Sequence, residues 1–176
     1  MIRKSFFLLS LVVISFSSIL LAEENKQKVA IVVSVYHETI TSKLLEAATE
    51  CLYKNGLSPE NVSIAYVPGS FEIPYTVKLL AETKKFDAII CLGAIITTNN
   101  PGWTYVADQV SKNISQISLV FDIPVTWGIF LFDSKEVAQL EVAQEKNEGW
   151  GAAQAAVDMI ALTQQIIQFA QFDPSL

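Results

Sequence analysis

Two short segments hold most of the side chains able to do chemistry. Residues 67–74 read VPGSFEIP. Pro68 and Gly69 turn the chain, and Ser70, Phe71 and Glu72 then open a helix whose free backbone amides can meet an oxygen-rich ligand. A plainer reading of the same letters is a Pro-Gly turn, a core phenylalanine and an acid set on the helix dipole. Residues 36–38 read Tyr-His-Glu, and His37 is the sole histidine of the chain. An imidazole titrates near neutrality and suits proton transfer. Cys51 and Cys91 have neither metal-ligand nor redox spacing and read as two buried thiols. Trp103, Trp127 and Trp150 read as core or subunit-interface rings.

The elements that must carry these residues alternate. Residues 28–35, KVAIVVSV, form a β-branched run expected of a parallel strand buried on both faces. Residues 39–55 follow with apolar positions at Ile40, Leu44, Leu45, Ala48 and Leu52, a helical stripe closed by Asn55 and Gly56. The next strand is expected over 61–67, and the next helix over 71–83 with Pro74 tolerable in its first turn. A third strand is expected over 86–96 and a helix over 101–114. Strand segments at 116–120 and 125–132 flank Pro124, and helices follow over 134–146 and 149–169. Strand and helix in alternation predict an α/β fold, a three-layer α/β/α sandwich around a parallel sheet. Ligands then bind beyond the carboxyl ends of the strands. No Gly-rich phosphate loop follows the first strand, which argues against nucleotide binding.

Residues 67–74, with CLGAIITTNNPGWTYVAD at 91–108, resemble the lumazine synthases of riboflavin biosynthesis, a likeness that runs from about Val29 to Leu162. The resemblance implies a flavodoxin-like sheet of order 2-1-3-4, whose switch point gathers Tyr36 and His37, residues 67–72 and residues 95–100. It also implies condensation of 5-amino-6-ribitylaminouracil with 3,4-dihydroxy-2-butanone 4-phosphate, giving 6,7-dimethyl-8-ribityllumazine. The family's site is shared by neighbouring subunits of a pentamer and uses no cofactor and no metal. The substrate-binding residues it implies are Tyr36, whose ring stacks on the pyrimidine, His37, Ser70, Phe71, Glu72, Ile95 and Ile96.

The working positions of the third loop differ from the family. Its pattern is approximately GAVIRGETxHFDYV, and residues 93–106 read GAIITTNNPGWTYV. Gly93, Ala94, Ile96, Tyr105 and Val106 keep the scaffold. The phosphate-cradling turn becomes Thr98, Asn99 and Asn100, and the catalytic histidine position becomes Gly102. The arginine that grips phosphate aligns with Glu141, and an Asn-Lys-Gly triplet becomes Asn147, Glu148 and Gly149. A proton-transfer group typically contributes ~10²–10⁴-fold to rate, and a glycine contributes none, which leaves His37 as the candidate stand-in. Three functions therefore compete: a divergent synthase, an exported non-catalytic lumazine- or flavin-binding protein, and a structural homo-oligomer, pentameric or a multiple of it.

The amino terminus bears on that choice. Arg3 and Lys4 precede an apolar stretch reaching Leu21, and two acids follow Ala22, which is the pattern of a secretory signal peptide. The expectation is a signal peptide over 1–22 and a lumazine-synthase-like domain over 23–176, periplasmic or secreted if the segment is cleaved and membrane-anchored if it is not. Residues 1–22 hold two of the twelve basic residues and none of the eighteen acidic ones, so the remainder is more acidic than the whole chain's net −6. An acidic surface without a basic stripe repels phosphate backbones and argues against nucleic acid. The expected partners are a small pyrimidine or flavin-like molecule and further copies of the chain.

Overall fold

The structure, a computed structural model, describes residues 27–97 and 102–172. The expected signal segment and Thr98, Asn99 and Asn100 lie outside the described residues. Four strands, β1 (Val29–Ser34), β2 (Val62–Val67), β3 (Ala88–Ile96) and β4 (Val125–Phe132), form a parallel sheet of order β2-β1-β3-β4. Val29 faces Val62 on one side and Ala88 on the other, and Ile89 faces Val125. All six residues of β1 are buried, because β1 has a strand on each side and a helix layer on each face. The chain reverses its direction of strand addition between β1 and β3.

Among the described residues five α-helices cover the sheet: α1 (Glu38–Lys54), α2 (Ile73–Glu82), α3 (Gly102–Phe121), α4 (Lys135–Val142) and α5 (Glu148–Phe172). The period-two alternation of the strands divides the core into two clusters. Val29, Ile31, Val33, Ile90 and Leu92 pack with α1, α4 and α5. Ala30, Val32, Ile89 and Cys91 pack with α2 and α3. These are the three layers of an α/β/α flavodoxin-like fold. Cys51 and Cys91 are buried and free, one in each cluster, so the sheet stands between them.

Small residues set the closest approaches. A Cβ on Gly128 would lie 2.6 Å from the Cys91 carbonyl oxygen and 3.0 Å from the Ala152 Cβ, so α5 rides directly on β4. α1 ends because Gly56 takes φ 89°, a left-handed turn that glycine adopts freely. There Leu57 N donates to Leu52 O at 3.1 Å.

Two elements differ from the sequence expectation. Residues 116–120 are not a strand but the last part of α3, which runs unbroken to Phe121. Ile114, Ile117 and Phe121 recur at helical spacing and pack into the core beneath α3, while Leu119 and Val120 are 80% and 63% exposed. Those two outward apolar residues gave the stretch its strand-like look. The helix stops at Asp122, a non-glycine residue at φ 52°, so no glycine announced the end. α4 is also shorter than the expected 134–146. Ser134 caps its start by accepting from Val137 N, and the Asn147 amide takes the Val142 carbonyl at 2.9 Å, closing the helix. Among the described residues no helix is long and apolar enough to cross a membrane.

Candidate functional site

Three chain segments meet where the strand order reverses. The first leaves β1 through Val35, whose N–H donates to Val67 O at 2.9 Å and ties the carboxyl ends of β1 and β2. Tyr36 and His37 follow. The His37 carbonyl accepts from Ile40 N at 2.8 Å and Thr41 N at 3.0 Å, which starts α1. The imidazole does not cap the helix. It stands edge-on to the Tyr36 ring, with centroids 4.8 Å apart and planes at 78°.

The second segment turns at Pro68 and Gly69 into a single 3₁₀ turn, Ser70–Glu72, before α2 begins with Pro74 in its first turn. The third is the end of β3, where Thr97 donates both its N–H and its hydroxyl to Phe132 O, at 2.9 and 3.2 Å. That pair pins β3 to β4 just before the chain departs for α3.

Between the segments lies a cavity of about 600 Å³, within the range of small-molecule sites. Tyr36, His37, Ser70, Phe71, Glu72, Ile95 and Ile96 all line it, joined by Pro68, Gly69, Ala94, Trp103 and Val106. Its wall is mainly apolar and aromatic. Tyr36 and Phe71 are 67% and 62% exposed, so their ring faces are open to a planar ligand. Burial first, and then the Lys135 ammonium on α4, lower the His37 pKa from its ordinary 6.5, which keeps the ring neutral at neutral pH.

The burial of Ser70 and the position of Trp103 differ from what the sequence suggested, whereas Trp150 packs on the core as expected. Ser70 lines the cavity yet is buried, its Oγ has no hydrogen-bond partner among the described residues, and it lies over Gly93 on β3. Trp103 was expected in the core or an interface, yet it stands in the first turn of α3 and lines the cavity. Its position one residue after Gly102, at the mouth of the third loop, was the signal available. Trp150 is half-buried against the α1–α5 cluster, with the Lys54 and Lys146 ammonium groups 5.1 and 4.9 Å from its ring centroid.

Gly102 opens α3 beside the cavity without a side chain to offer. Glu141 is exposed on α4 and does not line the cavity of its own chain. Among the described residues no three His, Cys, Asp or Glu side chains converge to hold a metal.

This architecture has a counterpart. The family model for 6,7-dimethyl-8-ribityllumazine synthase matches residues 26–164, most of the chain. The chain belongs to the lumazine synthase family. In this member the cavity elements derived above, from β1 through α3, all fall inside the matched span, as do Glu141 and Asn147. Asn147 has a structural task in this family member: its amide donates to Lys43 O and Val142 O, and its Oδ1 accepts from Gly149 N.

Proposed function

We propose that the cavity is a lumazine-synthase-like condensing site, holding the ribitylamino-pyrimidinedione against the Tyr36 ring and joining it to dihydroxybutanone phosphate. The observation that carries this reading is the convergence of Tyr36, Phe71, Glu72, Ile95 and Ile96 from three chain segments onto one aromatic-walled cavity. Apposition of two reactants is itself a large catalytic effect, with effective molarities of ~10⁵–10⁸ M in well-oriented cases. A site that has lost an acid–base group therefore still accelerates a condensation, at a rate reduced by ~10²–10⁴. Lumazine formation above a protein-free control, followed optically with both substrates, is the test. A rate equal to the control would sink the reading.

The second reading is a non-catalytic lumazine- or flavin-binding protein, favoured by Gly102 and Glu141 at the family's histidine and arginine positions. It predicts saturable binding of a lumazine with no turnover. Both readings go with an exported protein if residues 1–22 act as a signal peptide, which amino-terminal sequencing of protein from the extracytoplasmic fraction tests. Both also go with a homo-oligomer. Trp127 and Leu131 on the edge strand β4, and Tyr75, Leu119 and Val120 on α2 and α3, are exposed apolar side chains of the kind that mark contact surfaces. Light scattering on the purified chain decides that point.

A further inference from the structure

We propose that His37 is the proton carrier of this cavity, a role that rests on the condensing reading above. Among the described residues that line the cavity, Tyr36, His37 and Glu72 carry side chains of ionisable type, and histidine is the type whose ordinary range straddles neutrality. The imidazole makes no hydrogen bond among the described residues. Its backbone is fixed instead: the His37 carbonyl holds Ile40 N, Thr41 N and the Thr41 hydroxyl. The ring therefore sits on an anchored stem, edge-on to Tyr36, with neither nitrogen committed to a described residue. The charged groups around it are Lys135 at the start of α4, Glu38 next to it on α1, and Glu72 across the cavity. Burial and the Lys135 cation both oppose its protonation, so at neutral pH it is ready to accept a proton.

The step it serves is amine plus ketone giving imine plus water. The amine nitrogen bonds to the carbonyl carbon, the carbonyl π pair moves to oxygen, and the nitrogen gives one proton to His37. The imidazolium passes it to the oxygen, making the carbinolamine. The second N–H proton follows the same route, the C–O bond breaks, and the oxygen leaves as water with both protons as the C=N bond forms. No oxidant, reductant or metal enters the balance.

The experiment compares the full chain with His37→Ala and His37→Gln, measuring condensation rate from pH 5 to 9 and, in parallel, binding of the lumazine product. The expected result is a wild-type rate that falls on acidification with a midpoint below 6.5. Both variants should lose about 100-fold at the plateau and lose the acid limb, while lumazine affinity stays within about threefold. Added imidazole should restore part of the His37→Ala rate, which a purely structural role would not allow. Variants that keep the wild-type plateau and profile would overturn the proposal and leave the condensing site standing. A wild-type chain that binds lumazine but never exceeds the control would overturn it too, and so would one that binds nothing, which also removes the site reading.

Discussion

The Ser70 hydroxyl fills the space that a side chain at Gly93 would need: a Cβ there would lie 2.6 Å from Ser70 Oγ and 3.2 Å from Ile129 Cγ2. The cavity floor is thus a contact between the 3₁₀ turn and β3, and a Cβ at Gly93 would force the Ser70 or Ile129 side chain to shift.

Gly93→Ala should overpack that contact and destabilise the fold by ~1–3 kcal/mol. Ser70→Ala removes a buried hydroxyl with no partner among the described residues and should be close to neutral. The double variant should recover at least ~0.5 kcal/mol of the Gly93→Ala loss, since the two residues touch. Urea denaturation of the four proteins checks this, and strict additivity would mean the clash lies with Ile129 alone.

Much of this was legible in the sequence, for physical reasons. The β-branched runs and the Pro-Gly turn are local signals, and the family motifs fall on the loops that the strand order brings together. Other features depended on tertiary contact. Nothing local shows that the Ser70 hydroxyl is buried over Gly93 on β3. Asp122 ends α3 in a left-handed turn without a glycine, so Leu119 and Val120 passed for strand. Trp103 reaches the cavity only because α3 starts at the mouth of the third loop.

Acid should weaken the fold partly through His37. Its folded-state pKa is lowered, so below the ordinary 6.5 the unfolded chain binds more protons than the folded one. The contribution is fully present above that value and is lost as pH falls through the folded pKa. His37→Gln should show a shallower loss of stability between pH 7.5 and 5 than wild type. The difference should be modest, because the ring is only half-buried and solvent screens it. Equal slopes would mean His37 titrates alike in both states.

Tyr36→Ala and Phe71→Ala separate binding from stability. Both rings are mostly exposed, so truncation should change unfolding free energy by less than about 0.5 kcal/mol. If the rings form the platform for a planar ligand, lumazine affinity should drop about tenfold for each, roughly 1.4 kcal/mol. Calorimetry with the lumazine measures this. An unchanged Kd in both variants would remove the aromatic wall from the site.

The Asn147 amide is predicted to be the principal polar joint of the α1–α4–α5 layer. Its Nδ2 donates to Lys43 O on α1 at 3.1 Å and to Val142 O on α4 at 2.9 Å, and its Oδ1 accepts from Gly149 N at the start of α5 at 2.9 Å. The side chain is buried, so water does not readily replace these bonds. Asn147→Ala would take this partner from the Val142 carbonyl at the end of α4 and the Gly149 amide at the start of α5, and the second donor from Lys43 O inside α1, a cost of about 2–4 kcal/mol given ~1–3 kcal/mol for each unsatisfied buried group and partial relaxation. Asn147→Asp keeps the acceptor for Gly149 N but sets a carboxylate against two carbonyl oxygens, and should cost at least as much. Gly149→Ala attacks the same joint sterically, since a Cβ there would lie 2.1 Å from Leu44 O. None of these residues lines the cavity, so the folded fraction of each variant should keep its lumazine affinity. Unfolding midpoints in urea, paired with binding, separate the outcomes: an Asn147→Ala loss below about 0.5 kcal/mol would make the joint dispensable, and a weakened site in a stable protein would mean that this layer reaches the ligand.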